Sequence, residues 1–435
     1  MDLSRWYQKI NLSNVPYNKI MEKKDLEIIK EGSAEIYVHS ADRNLVPSKS
    51  MNVFYNEKME LNRDISNLAI IAYNNLYNPE HLIVIDSMAA SGISSIRMLM
   101  ECENIKKMHI NDLNSIAVEL IQRNLSLNKL DNNSIQIKVS NKDANLLFSE
   151  LAQKTYEISD SEYNKANVIS IDPFGTPNVY LDSAFKAIQK VNGLMCITAT
   201  DTAVLFGVRP NACIRKYLAK PLRTEYTKEI GSRILVCFIA RIANVNKLGI
   251  YPLLTLYSSH FIRVFCLTFK KVKTISNYFS DYGYIIHCHN CGHRSSFQSN
   301  ILKVPKMCPI CGKDKNLDYA GPLWINMLHD QEFIMELLKI NERMEFSNKK
   351  RINKLLNFAM EEIPMPVSYY NIHKLSQELR LSSVPKIDEI IISIKKKGYK
   401  ASRTHFDFTS IKTNMDIKSI KSLLLEIQLI LEENK

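Results

Sequence analysis

The chain has 435 residues, 46% hydrophobic and 9% aromatic, which argues against a disordered polymer and supports a sizeable core and more than one domain. No run reaches the roughly 18 apolar residues of a membrane span, the opening Met1-Asp2-Leu3-Ser4-Arg5 lacks a secretory stretch, and Tyr7 to Lys30 carries acids unsuited to a mitochondrial presequence; a soluble, cytoplasmic protein with no membrane partner is expected. Lys and Arg number 57 against 45 Asp and Glu, a net charge of +12, which suits a polyanionic partner because each neutralised phosphate releases counterions, although merely solvated surface charge gives the same balance.

In chain order, Glu31 to Val38 reads as a short strand, and Asn62 to Tyr77 as a helix with apolar spacing at Ile65, Leu68, Ile71 and Tyr73. From residue 81 strands and helices alternate. His81 to Asp86, Lys107 to Asp112, Ser134 to Val139, Asn167 to Asp172 and Gly193 to Thr200 read as strands, with helices over Ser91 to Cys102 and Ser115 to Asn128. Continuous apolar strands separated by helices predict an α/β fold with a parallel, doubly wound sheet covered on both faces. Acids recur at or just past the strand ends: Asp86, Asp112, Asp143 and Asp172. One such Asp is as readily a helix cap or turn residue. Four in successive units point to the crevice beyond the carboxyl ends, where open α/β sheets bind ligands.

Those acids suit S-adenosylmethionine in a class I, Rossmann-like methyltransferase domain. The loop Asp86-Ser-Met-Ala-Ala-Ser-Gly92 lets backbone approach the methionine part, Asp112 offers two oxygens to a ribose diol, and Asp143 meets the adenine amine. The spacing from Gly92 to Asp112 also fits a nicotinamide dinucleotide, but a loop with one glycine is poorly matched to a pyrophosphate. Asp172-Pro-Phe-Gly175 follows the fourth strand. The exocyclic amine of a base is a weak nucleophile, its lone pair delocalised into the ring. Asp172 and the Pro173 carbonyl supply acceptors that orient the amine, Asp172 can take the departing proton, and Phe174 offers a stacking face.

After about residue 275 the composition shifts, dividing the chain into a catalytic unit over 1–275 and a zinc-bearing, mostly helical but mixed α/β unit over 276–435. Cys288-His-Asn-Cys291 and Cys308-Pro-Ile-Cys311 are separated by sixteen residues, each pair followed by Gly. Two such knuckles predict a structural tetrahedral Zn(Cys)4 site, a disulfide or a vestigial site being the alternatives. Cys102, Cys196, Cys213, Cys237 and Cys266 stand in apolar contexts and read as buried thiols. Basic helices such as Ile391 to Lys397 and the segment Arg403-Thr-His-Phe406 are candidates for RNA contact, with packing the competing role of the latter.

Further segments stand beside these in order: Val53-Phe-Tyr-Asn-Glu-Lys-Met59 with Asn62-Arg63-Asp64, Asn124 to Asn128, Asp143-Ala-Asn145, Ile171 to Pro177, Thr198-Ala-Thr-Asp-Thr-Ala203, Tyr251-Pro-Leu-Leu254, Pro322-Leu-Trp324, Gly398 to Phe406 and Ile411-Lys-Thr413. In them, over nearly its whole length, the chain resembles the tRNA (guanine(26)-N(2))-dimethyltransferase family. The resemblance implies that Arg63, Asp112, Asp143 and Ala144 contact the cofactor, that Asp172 is catalytic, and that tRNA receives one or two methyl groups at guanine N2. It implies a contact at position 94 as well, where the family usually has Arg and this chain has Ser94, with Arg97 a possible substitute. Thr227-Lys-Glu229 departs too, where the family often has His before Glu. A monomer is expected. Alternatives are an amino-methyltransferase for another tRNA guanine or a DNA base, and a catalytically silent RNA-binding protein, against which the intact Asp112, Asp143, Asp172 and Phe174 argue.

Overall fold

The computed structural model describes residues 26–40, 51–130, 134–157, 165–270, 280–298 and 305–433. The opening residues through Asp25, from which the lack of a leader was read, lie outside this set. Gly32, at φ +55°, turns the chain inside the segment expected to be one strand. Glu31 to Val38 is therefore part of a hairpin of β1 (Leu26–Glu31) and β2 (Ala34–His39).

The predicted alternation follows as α1 (Glu60–Tyr77), β3 (Leu82–Asp86), α2 (Ile93–Glu101), β4 (Ile105–Asp112), α3 (Ser115–Leu127), β5 (Gln136–Asn141), α4 (Ala144–Glu157), β6 (Val168–Ile171), α5 (Leu181–Ala187) and β7 (Leu194–Ala199). After α6 (Thr202–Leu205), α7 (Pro210–Tyr217) and α8 (Thr227–Val245) come β8 (Gly249–Ser258) and β9 (Phe261–Phe269). The seven strands lie in the order β5-β4-β3-β6-β7-β9-β8. The first five are parallel, as expected, whereas β9 runs antiparallel to both β7 and β8. Only Ser259 and His260 join β8 to β9, far too few for the crossover a parallel pair requires. Pro252 is tolerated because β8 is the edge strand and its register shifts there. The strand order reverses between β3 and β6, and ligand crevices open at such switch points.

One face of the sheet is covered by α4, α5 and α8, through residues such as Phe148, Phe185 and Ile234. The other is covered by α1 and α2 together with two later helices, α9 (Gln331–Arg343) and α10 (Lys349–Glu362), through Ile65, Ile96, Phe333 and Leu355. A three-stranded antiparallel sheet of β10 (Tyr282–Cys288), β11 (Arg294–Gln298) and β12 (Leu317–Trp324) extends the first core with Ile285, Ala320 and Trp324. Residues on both sides of position 275 thus share each core.

The last part forms its own small core around Ile390, Ile411 and Leu424. It contains β13 (Tyr370–Asn371), α11 (Ile372–Glu378), α12 (Ile387–Lys396), β14 (Ala401–Arg403), β15 (Ser410–Thr413) and α13 (Ile417–Glu433). Its three strands, two to four residues long, are too short to show periodicity in sequence. Among the described residues, no helix is long and apolar enough to cross a membrane.

Candidate active site

The loop after β3 is drawn across the neighbouring strand ends by its own polar groups. The Ser87 hydroxyl donates to the Ser170 carbonyl at 2.8 Å, and the Ala89 and Ala90 amides donate to the Asn111 carbonyl and to Asp112 Oδ2 at 2.9 and 2.8 Å. Gly92 opens α2 at φ +80°, and a Cβ there would stand 3.1 Å from Ile121 Cγ1, so glycine serves both the turn and the close approach of α3. Buried Asn111 stitches three loops. Its amide donates to the Ser87 and Lys142 carbonyls at 3.1 and 2.9 Å, and its oxygen accepts from Ser140 Oγ at 2.7 Å.

This framework leaves a cavity of about 590 Å³. Arg63, Asp86, Ser94, Asp112, Asp143, Ala144, Asp172 and Phe174 all line it. Asp112 accepts the Asn114 amide on Oδ1 at 2.8 Å, and Asp143 accepts the Asn145 amide at 2.9 Å. Each therefore also does the turn or cap work that a strand-end Asp commonly does, with oxygen lone pairs to spare. Burial pushes the Asp86 carboxyl up to about 6, against the Ser95 hydroxyl that donates to it at 2.6 Å. Burial also raises Asp172, against Arg263, Thr198 and Arg63. Phe174 is 44% exposed and meets Phe54 edge-on at 4.5 Å.

Arg63 lies beneath one wall. Its Nε donates to Glu31 Oε1 at 2.6 Å, and its Nη2 engages Glu31 Oε2 and the Asn56 carbonyl. Arg97 does not substitute at the cavity. It is fully buried, with Nη1 on Glu31 at 2.9 Å, Nη2 on Asp64 at 2.7 Å and Nε on Glu101 at 3.0 Å. These three carboxylates hold the guanidinium away from the cavity, which Ser94, one turn earlier in α2, does line. Burial raises Glu31, but Arg63 and Arg97 outweigh it and hold that carboxyl below its ordinary value.

Several lining residues were not read from the sequence as site residues: Ser66, His260 and Arg263, with Phe54 and Asn62 noted only within resembling segments. Arg263 carried the one available signal, a lone cation in the otherwise apolar strand Phe261–Phe269.

Elsewhere, Cys288, Cys291, Cys308 and Cys311 converge, their sulfurs all within 4.8 Å of one another. Cys288 and Cys311 stand 3.6 Å apart, as do Cys291 and Cys308. Four Zn–S bonds of about 2.3 Å in a tetrahedron place sulfurs about 3.8 Å apart, so the donor set fits a zinc ion. Gly292 and Gly312, at φ +77° and +69°, close the knuckles, with their amides on the Cys288 and Cys308 carbonyls. The other five cysteines are buried free thiols.

The segment Arg403-Thr-His-Phe406 does not offer its His and Phe to RNA. His405 and Phe406 are 3% and 1% exposed, and Arg403 pairs with Asp388. His405 Nδ1 lies 2.7 Å from Glu362 Oε1, with His329 beside it. Lys412, 3.9 Å from Glu362 and 2.7 Å from Glu229, already supplies positive charge there, so His405 and Glu362 form a buried hydrogen-bonded pair against which His329 packs.

Comparison with known proteins agrees with this geometry. Residues 32–425 match the family described as N2,N2-dimethylguanosine tRNA methyltransferase. A tRNA (guanine(26)-N(2))-dimethyltransferase of Methanosphaera stadtmanae is 35% identical over 93% of this chain and 98% of its own. A tRNA (guanine(26)-N(2)/guanine(27)-N(2))-dimethyltransferase of Aquifex aeolicus is 30% identical over 92% and 96%. The structure of Trm1 from Pyrococcus horikoshii in complex with S-adenosyl-L-methionine is similar with a TM-score of 0.76 and 32% identity, covering 92% of this chain and 100% of that one.

Proposed function

The chain belongs to the N2,N2-dimethylguanosine tRNA methyltransferase family, and from that premise we propose that it transfers one and then a second methyl group from S-adenosylmethionine to N2 of guanine 26 in tRNA, with Asp172 holding the amine. The observation that carries this reading is convergence. Three strand-end carboxylates, Arg63 and the Asp172–Phe174 segment line a single cavity.

The cavity is chemically suited to the cofactor. Among the described residues, Ser91 Oγ and Asn62 Oδ1 are buried on its wall without a protein partner, as expected of atoms that await a polar ligand. Asp112 has lone pairs for the ribose hydroxyls, Asp143 and Ala144 serve the adenine, and Arg63 with Ser94 and the loop from Asp86 serves the methionine end. Bound there, S-adenosylmethionine supplies a methyl group made electrophilic by its sulfonium.

The chain's own residues prepare the amine. Ionised Asp172 accepts an N–H of the guanine 2-amino group, the Pro173 carbonyl accepts the other, and the nitrogen lone pair is turned out of conjugation. The proton released on transfer passes to Asp172, whose raised pKa makes it a competent base. Activity therefore falls as pH drops and Asp172 becomes protonated. Phe174 stacks the flipped base, a contact worth about 1–3 kcal/mol.

The four cysteines hold one structural zinc, leaving no open position for chemistry. The unit over 276–435 grips the tRNA body, and exposed Lys395, Lys396 and Lys400 at the end of α12 provide cations for phosphate. The protein acts as a cytoplasmic monomer. Incubation of unmodified tRNA with labelled cofactor, followed by nucleoside mass spectrometry at each guanine, tests the proposal. N2-methyl- and N2,N2-dimethylguanosine at position 26 are expected; methylation confined to a ring nitrogen or to other positions refutes it.

A further inference from the structure

Asp172, Thr198 and Arg263 form one row across three adjacent strands. Ile171 of β6 pairs with Ile197 of β7, which puts Asp172 beside Thr198, and Thr198 pairs directly with Arg263 of β9. Arg263 is 2% exposed. Its Nη1 donates to Thr198 Oγ1 at 2.5 Å and its Nη2 to Ser66 Oγ at 2.9 Å. Ser66 donates to the Asn62 carbonyl at 2.6 Å, and Asn62 Nδ2 donates to Asp172 Oδ2 at 3.2 Å. Thr198 Oγ1, engaged by Arg263, stands beside the Asp172 carboxylate and favours its ionised form. Five residues from β6, β7, β9 and α1 thus form a ring of neighbours around one carboxylate, bonded to it through Asn62 and flanking it at Thr198.

Burying a guanidinium is costly, and among the described residues Arg263 Nε has no hydrogen-bond partner to offset that cost. Arg263 makes no direct ion pair in the ring. A bidentate pair with Asp172 would occupy both carboxylate oxygens and leave none for the amine. Instead Ser66 and Asn62 link the guanidinium to one carboxylate oxygen, and Thr198 stands between Arg263 and the carboxylate, so lone pairs remain for the amine. The other charged groups that face Asp172 are Arg63 from α1 and Asp86 from β3, with His260 of the β8–β9 turn on the same cavity wall.

We propose that Arg263 is a positioning residue for methyl transfer, acting through Thr198 on one side and Ser66–Asn62 on the other to hold the Asp172 carboxylate in the orientation that accepts the amine hydrogen. This rests on the reading of Asp172 as the group that holds the amine. The ring makes the β8–β9 hairpin part of the active site, although no residue of that hairpin needs to touch the base.

The test compares Thr198→Val, Thr198→Ser, Ser66→Ala, Arg263→Lys and Asp172→Asn for kcat across pH and for cofactor Kd. Thr198→Val removes one hydroxyl at constant volume. Its kcat is expected to fall about 10- to 100-fold, as misplacement of a reacting group does, with cofactor Kd little changed. Its acid limb should move to higher pH, because the carboxylate loses a neighbouring hydroxyl that favours its ionised form. Thr198→Ser should recover most of the rate. Arg263→Lys keeps the charge but cannot span both hydroxyls, so kcat should fall while the acid limb stays near its native position. Ser66→Ala opens the ring from the helix side and should lower kcat in the same way. Native kcat and acid limb in Thr198→Val and Arg263→Lys, with Asp172→Asn inactive, overturns the positioning role and leaves the reading of Asp172 standing. An active Asp172→Asn overturns both. Parallel loss of kcat and cofactor affinity in Thr198→Val, unrestored by Ser, makes the ring merely structural and overturns the proposal.

Discussion

At the residue scale, Asp86 lines the cavity at a cost in stability. It is 3% exposed and its carboxyl is pushed up to about 6 by burial. A folded-state value above the unfolded one means that the protonated form favours the fold. That contribution is fully present below the unfolded value of about 4 and is lost as pH rises through 6. Asp86→Asn is therefore expected to be more stable than the native chain at pH 8, by about 2 kcal/mol, and nearly equal to it at pH 4. Urea denaturation at the two pH values checks this, and an equal difference at both would contradict it. Asp86, Asp112, Asp143 and Asp172 were legible in the sequence because each follows an apolar strand, and apolar strands are the clearest signal a chain carries. Arg263 was not, since its meaning comes from the pairing of β9 with β7, a contact between positions 65 residues apart. Arg97 misled for a related reason. It lies one turn from Ser94 on the same helix, but the fold brings Glu31, Asp64 and Glu101 together around its guanidinium and holds it off the cavity.

At the scale of elements, the two kinds of turn differ in how openly the sequence announces them. The knuckles of β10–β12 were visible as paired cysteines with a following glycine, because metal geometry fixes the spacing. The β8–β9 hairpin was hidden, since Ser259 at φ +54° makes its turn without a glycine or proline. The hairpin β1–β2 was misread as one strand because a single Gly32 gave too little warning. The cysteine site is expected to hold one zinc per chain by elemental analysis. Cys308→Ser should lose that metal and lower the melting temperature, because β10 and β12 are joined at this point and pack on α8. A metal-free native protein that melts at the same temperature as the zinc-loaded one would contradict a structural role.

At the scale of the molecule, the carboxy-terminal part is bound to the catalytic sheet through buried charge as well as apolar surface. Glu229 of α8 takes Arg233 of its own helix and Lys412 of β15, both at close range, and Lys412 also faces Glu362 of α10. Arg294 of β11 lies against the rings of Tyr226 and Tyr370, at 4.7 and 4.1 Å, and pairs with Glu225. These contacts tie the part that carries α12 to the sheet that carries the cavity, as the proposed grip on tRNA requires. The proposed acceptor on that tRNA is the exocyclic amine of guanine 26. The most direct measurement replaces guanine 26 of an otherwise unmodified tRNA with inosine, which keeps the ring and its 6-oxygen but lacks the 2-amino group. Methyl incorporation at position 26 is expected to vanish in the inosine tRNA while the guanine tRNA is dimethylated under the same conditions. Incorporation into the inosine base would contradict the account.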